Sequence, residues 1–302
     1  MKKIIIFGSS GRLGEYIKKK FKNNYKLFTS GYKKKKYEVD LLNKSEIFNV
    51  ITKIKPDVII NCAGATNVEK CIKNFNYAYK GNVIIPRNIV SVLKDYKNKP
   101  HIIHFSTDQV YNNNKKLSSE KDFNLSNNYS KTKFYGEKEI KKIKNYTIIR
   151  TNFFGNMGSK KNMSFSDFIR KTIQNNKKIK MAKNIYYNPI NIENLIKYLE
   201  LIIKKNIKGT YNIGSKNNIS KFDFAKMTCK FYKLRSNLII PYTSKFKNNR
   251  RPINTSTDVR KFEKRIKMKM PLIFFKIKII YNIFIKKIFI LKISWIYKCY
   301  WY

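Results

Sequence analysis

Two short stretches of this chain carry residue types at spacings that can do chemistry. Tyr129 and Lys133 stand four apart, which on a helix puts a phenol and an ammonium on one face, a proton donor beside the cation that can tune it. The spacing by itself carries little, since it recurs at Tyr16 and Lys20, at Tyr32 and Lys36, and at Tyr111 and Lys115. Position separates these pairs: only Tyr129 and Lys133 fall on a predicted helix that follows a strand ending in Ser106-Thr107-Asp108. The second stretch, Gly8-Ser9-Ser10-Gly11-Arg12-Leu13-Gly14, spaces its glycines by three between an apolar run and an amphipathic one. Glycines there allow a tight turn and a close backbone approach to a pyrophosphate. The free N–H groups and the dipole at the helix start favour that anion.

The elements that must position these residues alternate. Ile4 to Phe7 reads as a strand, Arg12 to Phe21 as a helix, and Tyr25 to Thr29, Asp57 to Cys62, His101 to Phe105 and Tyr146 to Arg150 as further strands separated by helical segments. Repeating βα units predict an α/β fold, a Rossmann-type doubly wound parallel sheet with a smaller C-terminal substrate-binding part. Beyond Gly155 come predicted helices near Ser166 to Asn175, at Ile192 to Lys204 and at Lys221 to Tyr232, with a strand at Gly209 to Ile213. The expected division is a dinucleotide-binding domain over 1–155, with 187–214 returning to it. A substrate-binding part over 156–186 and 215–273 follows, and then a basic aromatic tail over 274–302.

Composition excludes more than it asserts. The net charge of +48 is spread along the whole chain of 302 residues, with Lys, Asn, Ile, Phe and Tyr all abundant, so specific nucleic-acid binding is not expected. A basic surface still attracts anionic small substrates. Cys62, Cys71, Cys229 and Cys299 lie far apart without a C-x-x-C spacing, which indicates neither zinc nor a redox dithiol. His101 and His104 lack a carboxylate cluster and read as structural, so no metal is expected. The N-terminal apolar run stops at Gly8, too short for a signal peptide, and a cytoplasmic enzyme is expected. Lysines from Lys276 to Lys298 interrupt the tail before the roughly 20 apolar residues of a membrane span, leaving interfacial contact through it open.

At the end of the second predicted strand the chain offers Thr29, Ser30 and Gly31, then Lys33 to Lys36, rather than an acid for a ribose 2′-hydroxyl. Arg12 could add a second positive charge. NADP(H) is therefore slightly favoured over NAD(H).

From Gly8 to about Pro271 the chain resembles an extended short-chain dehydrogenase/reductase, and within that superfamily it is most similar to the dTDP-4-dehydrorhamnose reductase family. The matching pieces include the glycine turn, Val39-Asp40-Leu41, Pro56 to Gly64 with Thr66 and Val68, and Asn82. Ser106 to Tyr111, Tyr129 to Lys133 with Gly136-Glu137, Ile149-Arg150-Thr151, and Arg250-Arg251-Pro252 with Asn254 complete them.

The resemblance implies reduction of a 4-keto deoxysugar on a nucleoside diphosphate by NAD(P)H. Tyr129 would act as the acid, Thr107 would hold the carbonyl oxygen, and Lys133 would lower the tyrosine towards neutrality and bind the nicotinamide ribose. It further assigns Gly8, Ser10, Gly11, Arg12, Leu13, Gly14, Asp40, Leu41, Cys62, Ala63, Gly64, Thr66 and Asn82 to the cofactor, and Thr107, Asp108 and Phe153 to the sugar. The family often has tryptophan at Phe153, for which sheet-end packing is an equal reading, and tyrosine at Gln109. Dehydratases of the superfamily look like Thr-Asp-Glu where this chain has Thr107-Asp108-Gln109, and an amide cannot serve as a base, which disfavours dehydration. An epimerase of the same superfamily and a non-catalytic regulatory subunit are the alternatives, and a homodimer is left open.

Overall fold

The computed structural model describes residues 1–30, 38–113, 117–155, 163–245 and 251–273. Lys33 to Lys36, Arg250 and the tail with Cys299 lie outside the described residues. The first half runs β1 (Lys3–Phe7), α1 (Arg12–Phe21), β2 (Lys26–Ser30), α2 (Lys44–Ile54), β3 (Val58–Asn61), α3 (Val68–Lys73), α4 (Phe75–Tyr79), a π-helical turn over Lys80–Ile84, α5 (Ile85–Asp95), β4 (His101–Phe105), α6 (Asn128–Ile140) and β5 (Tyr146–Arg150). The second half runs β6 (Phe153–Phe154), α7 (Phe165–Gln174), β7 (Ile179–Ala182), β8 (Tyr186–Tyr187), β9 (Ile190–Asn191), α8 (Ile192–Lys205), β10 (Gly209–Asn212), β11 (Ile219–Ser220), α9 (Lys221–Tyr232), β12 (Ile239–Tyr242) and α10 (Arg260–Ile266).

Six strands form one parallel sheet in the order β2-β1-β3-β4-β5-β10. Its strands are continuous apolar runs because both faces are covered. Ile4, Ile6, Val58, Ile60, Ile103 and Phe105 pack against α1, α8 and α10, while Ile5, Phe7, Ile59 and Ile102 pack against α2 and α5. Successive strands depart to opposite sides between β1 and β3, and a crevice opens there beyond their carboxyl ends. The expected Rossmann-type fold is what forms, with strand ends within a residue or two of the predicted ones.

The smaller part has its own core, in which Ile169, Ile173, Met181, Tyr187, Phe224 and Ile239 meet. Three two-stranded pairings outside the main sheet, β6 with β9, β7 with β12 and β8 with β11, join distant segments that no local periodicity announces. The sequence reading places all of 215–273 in the substrate part. The end of that stretch departs from it: Val259, Phe262, Ile266 and Met270 bury their side chains in the core shared with α1 and α8.

One ionic contact lies at the carboxyl end of β5, next to the edge strand β10. Arg150 at the end of β5 and Glu137 on α6 are both fully buried, with Arg150 Nη2 donating to Glu137 Oε2 at 2.5 Å and Nε to Oε1 at 2.9 Å. Ser106, just past β4, donates to the same carboxylate at 2.5 Å. Arg150 Nη1 donates to the Tyr111 hydroxyl and to the Glu120 carbonyl, and Tyr111 donates to Asn212 on β10. Burial is the largest single influence and works against the guanidinium's charge, yet Glu137 and Tyr111 together raise the Arg150 pKa. Glu137→Ala therefore should cost about 3–5 kcal/mol, because it strands a buried cation. A urea unfolding curve would show this as a lower midpoint, and a midpoint within experimental scatter of the wild type would contradict it.

Candidate active site

The turn after β1 has room for nothing but glycine at two points. Gly8 has φ of +74°, and a methyl group there would lie 2.5 Å from the Ala63 nitrogen; one at Gly14 would lie 2.5 Å from the Gly8 carbonyl oxygen. The Gly11 N–H closes the turn on Gly8 O at 3.0 Å, and Ser9 ties it to the end of β2 through Ser30 O at 2.8 Å. Helix α1 starts at Arg12 with no side chain capping its first N–H groups. A backbone cradle with open donors at a helix start suits the pyrophosphate of a dinucleotide.

That turn forms one wall of a cleft of about 1050 Å³. Every site residue assigned from the sequence borders it except Asn82. Asn82, almost fully buried in the π-helical turn, accepts from the Ala65 N–H at 3.0 Å and donates to Ala65 O and to the Thr132 hydroxyl. It shapes the loop of Gly64 and Ala65 and does not itself border the cleft. The close approach is mutual, since a methyl group on Gly136 would lie 2.1 Å from Asn82 O. Asp40 and Leu41 also border the cleft. The Asp40 carboxylate accepts the Leu42 N–H at 2.9 Å, and Asn88 holds the Leu41 and Leu42 carbonyls.

On α6, a reciprocal cap between Asn127 and Ser130 starts the helix, so Tyr129 and Lys133 enter the cleft one turn apart. Lys133 Nζ donates to the Phe105 carbonyl at 2.7 Å, and a methyl group on Gly64 would lie 3.9 Å from Nζ. Burial lowers Lys133 to about 8, against the pull of Glu137. Tyr129 is pushed up to about 12 by burial, while a hydrogen bond with Thr107 lowers it and the Asp108 charge raises it. The expectation that Lys133 draws the phenol towards neutrality is thus not met in the protein chain alone. The ammonium gives one of its donors to the Phe105 carbonyl, and the groups that favour the phenolate are Thr107 and the charge of Arg251.

Arg12 also departs from expectation. Its guanidinium donates to Met163 O at 2.7 Å and stands 5.3 Å from the Phe153 ring, so it crosses the cleft instead of turning towards β2. Phe153 both borders the cleft and packs on the sheet core. Gln109 reaches the cleft with its Oε1 buried and unpartnered. Cys62 lines the cleft as a thiol whose pKa burial pushes up. His101 bonds to Thr147 at 2.7 Å and His104 to Asn61 at 3.1 Å, both lowered by burial; no His/Cys/Asp/Glu group able to hold a metal occurs among the described residues.

Asn152 and Thr255 went unnoticed in the sequence. Both donate to Asp108 Oδ2, at 3.1 Å and 2.8 Å. The nearest signal for Thr255 was its place beside Asn254; Asn152 had none beyond following Thr151. None of the described helices is long and apolar enough to cross a membrane.

Residues 1–281 match the family described as the RmlD substrate binding domain. A dTDP-4-dehydrorhamnose reductase from Shigella flexneri is 22% identical, over 89% of this chain and 93% of its own length. The methionine adenosyltransferase 2 subunit beta of Bos taurus is 23% identical, over 87% and 82%. The crystal structure of dTDP-4-dehydrorhamnose reductase from Bacillus anthracis in complex with NADP superposes with a TM-score of 0.79 at 22% identity, covering 90% of this chain and 95% of that one. With the glycine cradle, the Tyr129 and Lys133 face and the parallel sheet all in the family's order, the chain belongs to the RmlD substrate binding domain family.

Proposed function

We propose that this chain is an NAD(P)H-dependent reductase that converts a 4-keto deoxysugar on a nucleoside diphosphate to its alcohol. The observation that carries the reading is the Tyr129 phenol hydrogen-bonded with Thr107 in the same cleft that the glycine turn bounds. The glycine turn would hold the pyrophosphate, Asp40 and Leu41 the adenine end, and Lys133 the ribose near the reacting carbon. The reduced nicotinamide, when bound, supplies the hydride. Burial keeps Tyr129 protonated at neutral pH, so it has a proton to give, and Thr107 can donate to the same carbonyl oxygen and fix its position. NADP(H) stands slightly ahead of NAD(H), on the absence of a carboxylate at the Ser30 end of β2; Arg12 no longer supports the preference.

The similarity to a methionine adenosyltransferase subunit keeps a regulatory role as the second reading. An intact Thr107, Tyr129 and Lys133 favours the enzyme. NADPH and NADH oxidation with a panel of 4-keto nucleotide sugars separates the two, and net consumption with substrate also distinguishes a reductase from an epimerase. Tyr129→Phe is expected to lower turnover by about 10²–10⁴-fold with cofactor affinity nearly unchanged in a fluorescence titration. Retained turnover would remove Tyr129 as the acid.

Lys133 should also be costly to the fold. Below pH 8 the ammonium is charged in both states, and its burial penalty is fully present. From pH 8 to the unfolded value of 10.5 the folded chain sheds the proton first, and stability rises. Lys133→Met should therefore be roughly 2 kcal/mol more stable than wild type at pH 7, after allowing for the Phe105 carbonyl it orphans. The gap should close as the pH rises through that window, as denaturant unfolding at several pH values would show; a variant less stable at pH 7 would refute the account.

A further inference from the structure

Among the described residues that border the cleft, only Arg12 and Lys133 are cationic. Lys133 donates to the Phe105 carbonyl and stands one turn from Tyr129, whereas the charge of Arg12 has no such use so far. Arg12 is half-buried and is the first residue of α1, where the positive end of the helix dipole opposes a cation. Its Nη1 donates to the Met163 carbonyl at 2.7 Å, and its Nε and Nη2 have no hydrogen bond to a described residue. No carboxylate of a described residue lies within ion-pair distance of it. Asp167 acts on it through space only, being held by Ser164 at 2.6 Å and standing 3.8 Å from Arg170.

The guanidinium lies against the wall that carries the candidate chemistry. Its central carbon is 5.3 Å from the centre of the Phe153 ring. Phe153 follows Asn152, which donates to Asp108 Oδ2 at 3.1 Å, and Asp108 follows Thr107. The backbone cradle from which Arg12 starts leaves its own first N–H groups open, so a cofactor pyrophosphate has donors without this side chain. Met163 and Phe168, 43% and 44% exposed, border the same cleft. Apolar surface with one convergent cation suits a nucleoside that carries phosphate.

We propose that Arg12 is a specificity-determining residue that binds the diphosphate of the nucleotide-linked substrate through its Nε and Nη2 edge. The glycine turn then serves two diphosphates, its backbone taking the cofactor's and its one long side chain the substrate's. That the ligand carries a keto sugar rests on the reductase reading, whereas a diphosphate site at Arg12 does not. A guanidinium offers two parallel donors to two phosphate oxygens, and the bond to the Met163 carbonyl fixes the plane in which it does so. The phosphate supplies the counter-charge that the protein does not.

The test is isothermal titration of the NADPH-saturated protein with thymidine diphosphate, uridine diphosphate and thymidine, beside a titration of the free protein with NADPH. Arg12→Gln and Arg12→Met should weaken the nucleoside diphosphate that the wild type prefers by about 10–100-fold, with NADPH affinity unchanged. Arg12→Lys keeps a point charge without the fork and should recover only part of the loss. The wild-type affinity should fall more steeply with salt than that of the neutral variants. Thymidine, which lacks the phosphates, should bind all four proteins alike, a result that a merely structural arginine would not give. Unchanged diphosphate affinity in both neutral variants overturns the proposal. An equal loss for NADPH overturns it too, by assigning the guanidinium to the cofactor. Arg12-dependent diphosphate binding without NAD(P)H oxidation for any 4-keto sugar upholds the site and overturns the reductase reading instead.

Discussion

The buried pair of Glu137 and Arg150 is the contact on which the arrangement of the site depends, because it joins the helix of the candidate acid to the sheet that carries everything else. Two charges without solvent are favourable only when their hydrogen-bonding capacity is met. Here Ser106, Tyr111 and the Glu120 carbonyl complete the set. Ser106 is the residue before Thr107, and Glu137 is one turn beyond Lys133. The pair therefore sets the distance between the threonine hydroxyl on one side and the phenol and ammonium on the other.

Around that anchor the protein accepts local costs where the cleft needs them. Gly8 and Gly14 give up side-chain packing to let three segments of backbone meet. Lys133 is held charged in a buried position by a single carbonyl and a more distant carboxylate. Asp108 is buried with three neutral donors and no ion pair. Each of these would be a defect in a purely structural α/β domain, and they converge on one crevice at the switch point of the sheet.

The two parts of the fold reach the cleft by different routes. The sheet side supplies donors and cations from strand ends and from helix starts, whose first N–H groups are left open. The smaller part contributes from its connecting segments, with Met163 touching Arg12 and Thr255 touching Asp108, which Asn152, just past β5, also reaches. Arg12 shows the consequence. A residue whose position in the glycine turn suggests one ligand contact spends its guanidinium on the opposite wall.

What the sequence determined alone is whatever depends on near neighbours. Short apolar runs at Ile4 to Phe7 and within Asp57 to Cys62 read as strands buried on both faces. Glycines at three-residue spacing announce the turn, and four-residue spacing puts Tyr129 and Lys133 on one helical face. Tertiary structure alone decided which distant groups share a polar atom: Asn152 and Thr255 on Asp108, Asn82 behind Gly64, the Phe105 carbonyl on Lys133. The same holds for the titration order of the site, with Tyr129 raised and Lys133 lowered. The physical reason is that periodicity is a property of successive residues. Burial and charge are summed over everything that packs around an atom, wherever in the chain it comes from.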